Sequence, residues 1–310
     1  RGLGDVYKRQ AVLSVSEAIE LREYGFDQYL LLLEGFFSAY EVKVCSQMNI
    51  SAVIHNNQQI DFINQIKPKN PINIHLKINT GMNRLGFRPS TVKSLIQSLE
   101  KSPYIGNIIL MTHFANADEA IGVRDQLALF NKVVDDSFDR SVANSAAIIR
   151  YPETHMEWVR PGIMLYGASP FEDQSSQDIG LQPVMSLHSN IIAVQNLDKG
   201  QSVGYGSTFV ATNKTRVGIV ACGYADGYPR HAPSGTPVMV AGKISRTLGR
   251  VSMDMLYVDL TDIPSADIHS EVELWGANIS VDEVAKEAKT VGYELLCAIS
   301  SSIRVPMEYA

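Results

Sequence analysis

The strongest constraint on this chain is an alternation of short apolar runs with amphipathic stretches, which continues from residue 11 to about residue 170. The amphipathic stretch RDQLALFNKVVDDSF has helical spacing of its apolar residues, and other runs are typical of buried strands: YLLLLEG, VKVCSQ, SAVIHN, PINIHLKINT and NIILMTHFA. Repeated strand–helix alternation indicates parallel βα units. The number of units predicts a TIM-type (β/α)8 barrel with its first βα unit missing.

The pattern changes after the polar segment FEDQSSQDIG, residues 171–180. One helical stretch, VDEVAKEAK, lies near the end, and the other runs are strand-like and separated by Gly, Pro and Asp turns: SLHSNIIAV, RVGIVACG, TPVMVAG, MLYVDLTD and SEVELWG. Closely spaced strands with such turns predict an all-β second domain. We therefore expect the β/α barrel to span 11–175 and the C-terminal β-domain to span 176–310.

The first ten residues, RGLGDVYKRQ, share no pattern with the chain that follows. They lack an initial Met, and from Ala11 onward the sequence is typical of the middle of a domain. We expect 1–10 to be a non-native or disordered segment and the N-terminus to be truncated. A flexible native tail is the alternative, because chain termini are often poorly ordered.

Composition argues against several classes of protein. The formal net charge is −6 and no Lys/Arg-rich run occurs, so we expect no nucleic-acid surface. The apolar run at 29–37 is too short to span a bilayer, and we expect no signal peptide. The three cysteines are far apart, which indicates a reducing, cytoplasmic compartment rather than a disulfide framework. The seven histidines are scattered, so we expect no metal site.

Polar residues follow the predicted barrel strands, and catalytic side chains of β/α barrels gather at those carboxyl ends. Lys77 lies in one strand, and Arg84 follows among turn formers, where a guanidinium can bind a carboxylate or phenolate. His113 ends the next strand. The alternatives are an outward-facing lysine, a surface arginine and a structural histidine.

Two later turns suit phosphate binding. Ser145 precedes small alanines in ANSAA, and Arg160 precedes Pro161-Gly162, a turn that exposes backbone N–H groups. Together with the earlier residues, these turns predict a basic, phosphate-binding barrel mouth.

Tyr224 stands in ACGYADGYPR at the end of a predicted strand. Its neighbours Gly223 and Ala225 are too small to cover its ring, and Asp226-Gly227 breaks the strand. Either its hydroxyl is presented in a cleft or its ring fills a gap in a core.

Seven motifs in order closely resemble the bacterial, pyridoxal-phosphate-dependent alanine racemases. The similarity begins near Ala11 and runs almost to the C-terminus, through KINTGMNRLG, THFANADE, ANSAA, VRPGIMLYG, VGYGSTF, GYADGYPR and GRVSMDM. The resemblance implies an N-terminal barrel, a C-terminal β-domain, pyridoxal 5′-phosphate as cofactor, and a head-to-tail homodimer whose active sites are completed by the partner's β-domain.

The resemblance also implies roles for single residues. Tyr224 matches the catalytic tyrosine that reaches into the partner's site, and Met253 matches a partner residue whose backbone meets the substrate. Arg84 matches the arginine near the substrate carboxylate, and Lys77 matches an often carbamylated lysine that supports it. The remaining matches bind cofactor: Arg160 at the pyridine nitrogen, His113 beside the ring, and Ser145, Gly162 and Ile163 at the phosphate.

These residue types suit racemisation, which removes an α-proton from one face and returns one to the other. Two acid/base groups are needed for that exchange. Arg160 is expected to stay protonated and not to give the ring nitrogen a proton. That weakens the electron sink and suppresses side reactions such as transamination.

The sequence departs from the family at two places. The family's Schiff-base lysine lies in a run like K-A-x-A-Y-G-H-G, which does not occur here, and Lys8 lacks that context and receives no role. Ile303 stands where some relatives have a phosphate-binding tyrosine.

We expect an alanine racemase that supplies D-alanine for peptidoglycan, with little or no activity in residues 1–310 alone. The alternatives are an amino-acid racemase of broader specificity and a non-catalytic relative that binds pyridoxal phosphate.

Overall fold

The computed structural model describes residues 9–299. The chain divides into two compact units between Pro161 and Gly162, on the N-terminal side of the predicted boundary at 175. Among residues 9–299 there is no helix of the length and apolar character that crossing a membrane requires.

The first unit alternates strands and helices along the chain. Its strands and helices are β1 (Arg9–Val12), α1 (Val15–Glu23), β2 (Tyr29–Leu32), α2 (Ala39–Gln47), β3 (Ile50–Ile54), α3 (Asn57–Ile66), β4 (Ile72–Lys77), α4 (Pro89–Leu99), β5 (Ile105–Met111), α5 (Arg124–Val133), β6 (Arg140–Ser141) and α6 (Ser145–Arg150). The strands pair in parallel in the order β1-β2-β3-β4-β5-β6. The predicted parallel βα units are therefore confirmed.

The parallel sheet curls on itself, so that side chains of separate strands meet inside it. The Tyr29 hydroxyl lies 3.1 Å from His75 Nε2, and the Trp158 ring lies 5.0 Å from the Tyr29 ring and 5.1 Å from the His75 imidazole. Trp158 also forms an isolated parallel bridge with Ser141, beyond the last strand. This is the barrel-like architecture that the sequence predicted.

Strand β1 begins at Arg9, inside the segment 1–10 that we expected to be non-native or disordered. Arg9 pairs with Tyr29 and Gln10 with Leu30 in the parallel ladder, so these two residues are ordered strand residues. The guanidinium of Arg9 also lies 3.4 Å from the centre of the Trp158 ring. The rest of that segment, residues 1–8, lies outside the described residues.

Short sequence patterns predicted the start of α1 correctly but assigned the wrong secondary structure to α2. Ser14 and Glu17 form the capping box that starts α1, as their spacing predicts. The strand prediction for VKVCSQ is wrong, because this run belongs to α2. Ser38 caps that helix by accepting the N–H of Glu41, and the helix buries Val42 against the core. Capping and tertiary packing outweigh the weak strand preference of β-branched residues.

The second unit is built mainly of antiparallel strands. Its elements are β7 (Leu187–Leu197), β8 (Ser202–Val203), β9 (Phe209–Val210), β10 (Thr215–Val220), β11 (Pro237–Val240), β12 (Lys243–Arg246), β13 (Leu256–Asp259), β14 (Glu271–Trp275), α7 (Val281–Glu287) and α8 (Gly292–Ala298). Six strands form one sheet in the order β12-β11-β14-β7-β10-β13, and β8 pairs with β9. The predicted β-domain is confirmed, although it carries the additional helix α8.

The core of the second unit is aromatic at its centre. Tyr228 and Trp275 are fully buried and stack with ring centres 5.8 Å apart. Tyr228 follows β10 and its turn, and Trp275 ends β14. Their burial fixes the chain just after Tyr224, because large buried aromatic rings contribute strongly to core stability.

Candidate active site

One small cavity opens at the carboxyl ends of β4 and β5. Its lining includes Lys77, Arg84 and His113, together with Ile78, Asn79, Thr80, Met82, Leu85 and Thr112. In a parallel sheet these strand ends share one edge, so residues far apart in sequence meet there. The structure thus brings together three of the residues that the sequence singled out.

Lys77 ends β4 and is only 9% exposed. Its ammonium is partly stripped of water and faces the positive charges of Arg84 and Arg160. Burial first, and then these two cations, lower the pKa of Lys77 to about 8, against an opposing effect of Glu34. A substantial fraction of this amine is therefore neutral near physiological pH.

Arg160 lies partly buried beside the ends of β5 and β6. Its guanidinium donates to Ser141 Oγ at 2.7 Å, to the Thr112 carbonyl at 2.7 Å and to the Val142 carbonyl at 3.2 Å. Desolvation lowers the pKa of Arg160 to about 10, so the side chain is still protonated at neutral pH. The Nε–H and the second N–H of Nη1 donate to no group within residues 9–299.

His113 lies against that guanidinium. Its Nδ1 is 3.5 Å from Arg160 Nη2, which can only donate, so Nδ1 accepts and the ring proton sits on Nε2. Burial, with the charges of Arg160, Arg84 and Lys77, lowers the pKa of His113 to about 3. The imidazole is therefore neutral at physiological pH.

The predicted phosphate residues occupy two separate turns. Asn144 caps α6 by accepting the N–H of Ala147, and the buried Ser145 is the first residue of that helix. Gly162 and Ile163 belong to the second unit, where Gly162 precedes a short 3-10 turn at Ile163–Tyr166. Ile303 lies outside the described residues.

Tyr224 begins a 3-10 turn, Tyr224–Asp226, four residues after β10 ends. The turn is closed by the Asp226 carboxylate, which accepts the Gly223 N–H at 2.9 Å, and by Gly227, whose φ of 101° suits glycine. The Tyr224 side chain is 38% exposed, and the Arg230 guanidinium lies 5.9 Å from its ring centre. The alternative that its ring fills a core is therefore wrong, because the buried ring nearby is that of Tyr228.

Met253 lies next to this turn. The backbone N–H of Ala225 donates to the Met253 carbonyl at 2.9 Å, and the Met253 side chain is 54% exposed. A Cβ on Gly223 would lie 2.3 Å from the same carbonyl oxygen. Only glycine permits the turn to approach Met253 this closely, so the pair is built into the local fold.

Sequence reasoning missed two buried polar residues, of which Gln126 contacts Thr80 in the cavity lining. Gln59 and Gln126 are buried, although each is the third residue of a helix that follows a strand. The available signal was their helical spacing from buried apolar residues: Gln59 precedes Ile63 by one turn, and Gln126 precedes Phe130. A glutamine on an apolar helix stripe indicates a buried hydrogen-bonding role.

The fold and this site define a two-domain β/α-barrel enzyme, with its polar cluster at the strand ends. Residues 3–170 match the family model of the alanine racemase N-terminal domain, and residues 184–309 match that of the C-terminal domain. The chain belongs to the alanine racemase family, whose members are pyridoxal-phosphate-dependent isomerases.

Curated relatives and solved structures agree with this assignment. Alanine racemase from Thiobacillus denitrificans is 50% identical over 298 residues, 96% of this chain and 81% of the relative. Alanine racemase from Nitrosomonas europaea is 52% identical over 300 residues, 95% of this chain and 83% of the relative. The crystal structure of biosynthetic alanine racemase from Pseudomonas aeruginosa has a TM-score of 0.95 and 44% identity, covering 99% of this chain and 86% of that one.

Proposed function

We propose that this protein interconverts L- and D-alanine with pyridoxal 5′-phosphate held at the carboxyl edge of the barrel-like unit. The observation that carries the proposal is the Arg160–His113 pair. A protonated guanidinium whose Nε–H is not used by residues 9–299 lies beside a neutral imidazole, in a family of known cofactor dependence.

The residues present fit this cofactor. A pyridine nitrogen without a proton is a hydrogen-bond acceptor, and Arg160 offers its Nε–H, because Nη1 already donates to Ser141 and Nη2 donates to Thr112 and Val142. The neutral His113 can pack beside an aromatic ring without the cost of a buried charge. Ser145, Gly162 and Ile163 would bind the phosphate group.

Arg84 and Lys77, the other basic residues of the cavity, suit the binding of an amino-acid substrate. When bound, pyridoxal phosphate supplies the electron sink that makes the α-proton of an amino acid acidic. Arg84, exposed at the mouth of the cavity, would bind the carboxylate of alanine through its planar guanidinium. The neutral amine of Lys77 would combine with carbon dioxide, releasing a proton, and the resulting carbamate anion would fix Arg84.

Tyr224 would move the α-proton on one face of the substrate. Its turn presents the phenol partly exposed, and Met253 is fixed beside it. We propose that both act in the site of the partner subunit in a homodimer. The second acid/base group, which is the Schiff-base lysine in the family, has no assigned position among residues 1–310, and Lys8 lies outside the described residues.

The cellular role follows from the product. We propose that the enzyme works in the cytoplasm and supplies D-alanine for peptidoglycan. All three cysteines are free, which is usual for proteins kept in a reducing compartment.

The test uses protein expressed from the complete reading frame that encodes this chain. Polarimetry should detect the conversion of L-alanine to D-alanine and the reverse, and Tyr224→Phe should lower kcat by at least about 100-fold, the usual worth of a proton-transfer group. Tyr24→Phe removes an exposed hydroxyl on the first unit and is the matched control. Full activity of Tyr224→Phe would refute the assigned role.

Cofactor binding is tested separately from turnover. Arg160→Met should weaken the binding of pyridoxal phosphate, measured by quenching of protein fluorescence during titration. Unchanged affinity would contradict the assignment of Arg160 to the ring. An enzyme that racemises serine or a basic amino acid faster than alanine would favour the broader-specificity alternative.

A further inference from the structure

Two buried glutamines occupy equivalent places in the barrel-like unit. Gln59 in α3 and Gln126 in α5 are each the third residue of the helix, and their side chains are 2% and 8% exposed. A buried carboxamide needs partners for both its oxygen and its N–H groups. Both glutamines find them in loops at the carboxyl ends of strands.

Gln126 holds the loop that begins with His113. Its Oε1 accepts the backbone N–H of Ala115 at 2.7 Å, and its Nε2 donates to the His113 carbonyl at 3.2 Å. The two bonds grip the backbone on both sides of Phe114, which is itself buried. The direction in which the His113 ring leaves the chain therefore depends on this carboxamide.

Hydrogen bonds also connect Gln126 to the loop that follows the neighbouring strand, β4. The Thr112 hydroxyl donates its single proton to the Ile78 carbonyl at 2.9 Å, so toward Thr80 it can only accept. Thr80 therefore donates to Thr112 at 2.7 Å, and its own oxygen receives Gln126 Nε2 at 3.4 Å. Gln126 thus ties the loop after β4 to the loop after β5.

Gln59 provides an internal comparison. Its Oε1 accepts the His55 N–H at 2.8 Å, and its Nε2 donates to the carbonyls of Glu34 at 3.2 Å and Phe36 at 3.3 Å. The burial and the number of bonds resemble those of Gln126, but the loops held are those after β2 and β3. Loss of either carboxamide should destabilise the fold similarly, whereas only Gln126 touches the His113 segment.

We propose that Gln126 is a positioning residue, whose carboxamide, together with the Thr80 hydroxyl, holds His113 against the Arg160 guanidinium. Its relevance to catalysis rests on the proposed role of His113 beside the cofactor ring. The geometry itself can be tested without cofactor or substrate.

The readout is the titration of the His113 ring. The charged groups that act on the ring are Arg160, Arg84 and Lys77, all of them cations, and with burial they lower the pKa of His113 to about 3. If the loop is released, the ring gains water and moves away from Arg160. Its pKa then rises toward the ordinary histidine value of about 6.5.

The experiment follows the C2–H resonances of 13C-labelled histidines in the cofactor-free protein between about pH 5 and 8, where an ordinary histidine titrates. The His113 signal is assigned by its loss in His113→Gln. It should stay constant in the wild type and in Gln59→Met, and it should titrate in Gln126→Met. Thr80→Val should shift the titration in the same direction by a smaller amount, and Thr80→Ser should restore wild-type behaviour.

A His113 signal that stays constant in Gln126→Met, with a loss of Tm equal to that of Gln59→Met, would overturn the proposal and leave Gln126 as a support of the fold only. If Gln126→Met does not fold, the comparison of Thr80→Val with Thr80→Ser decides by the same criterion. Because no turnover is measured, these outcomes are independent of the Tyr224→Phe assay.

Discussion

Tyr224 and Ser252 are joined through their backbones, since the N–H of Tyr224 donates to the Ser252 carbonyl at 3.1 Å. The next residues repeat the contact, with Ala225 donating to the Met253 carbonyl at 2.9 Å. The turn that presents the phenol is therefore anchored on the segment that carries Met253. If the phenol acts on a substrate, its placement depends on that anchor as much as on Tyr224 itself.

The close approach at Gly223 predicts a costly substitution. A Cβ there would lie 2.3 Å from the Met253 carbonyl and 2.4 Å from that of Ser252, and backbone atoms cannot rotate away. Gly223→Ala should lower the free energy of unfolding by about 1–3 kcal/mol, the usual cost of overpacking, as measured in urea. Gly200→Ala is the control, because no atom lies within 4 Å of its added Cβ and only the φ of 90° opposes it. A smaller loss at Gly223 than at Gly200 would contradict the steric argument.

The buried amine of Lys77 predicts a pH-dependent stability. Its pKa is about 8 in the folded protein against 10.5 ordinarily, so between these values the unfolded chain binds more protons and stability rises with pH. Lys77→Met should remove that rise, which is at most about 3 kcal/mol, in unfolding curves taken in buffer free of carbon dioxide. If the free energy of unfolding changes with pH equally in Lys77→Met and in the wild type, the lysine is not desolvated in the folded protein.

The buried His75 and the half-buried His113 predict loss of stability in acid. His75 and His113 have pKa values of about 3, because of burial first and then nearby cations, so each must stay neutral in the folded state. As the pH falls below about 6.5, these histidines bind protons in the unfolded chain but not in the folded chain, so the free energy of unfolding falls. His75→Phe should reduce the loss between pH 6.5 and 5 by about 1–2 kcal/mol, measured by urea unfolding at both values. An unchanged acid loss would refute the prediction.

The cysteines should differ in reactivity. Burial, with the charges of Glu41 and Asp226 respectively, raises the pKa of Cys45 and of Cys222 to about 12, whereas Cys297 is exposed. Only thiolates react with iodoacetamide, so mass spectrometry of the native protein near pH 8 should find Cys297 modified first. Urea should make all three cysteines reactive. Equal labelling of Cys222 in the native protein would contradict its burial beside the Tyr224 turn.

The sequence predicted more of the fold than of the site's geometry. Alternating strand and helix patterns identified the parallel units, and the Ser14–Glu17 spacing located a helix start, because these signals arise from neighbouring residues. The run VKVCSQ was assigned wrongly, since its β-branched residues favour a strand locally while the packing of α2 favours a helix. Gln126 was overlooked because its partners lie 11 to 46 residues away.

By itself, the amino-acid sequence determined the class of fold, the family and the identity of the candidate residues, because apolar periodicity and ordered motifs are properties of the chain. The tertiary structure alone decided that Arg160 lies against His113, that Lys77 is desolvated among cations, and that the Tyr224 turn rests on Met253. These are relations between distant segments. Protonation and side-chain orientation depend on the distance to other charges and to water, which only the folded chain fixes.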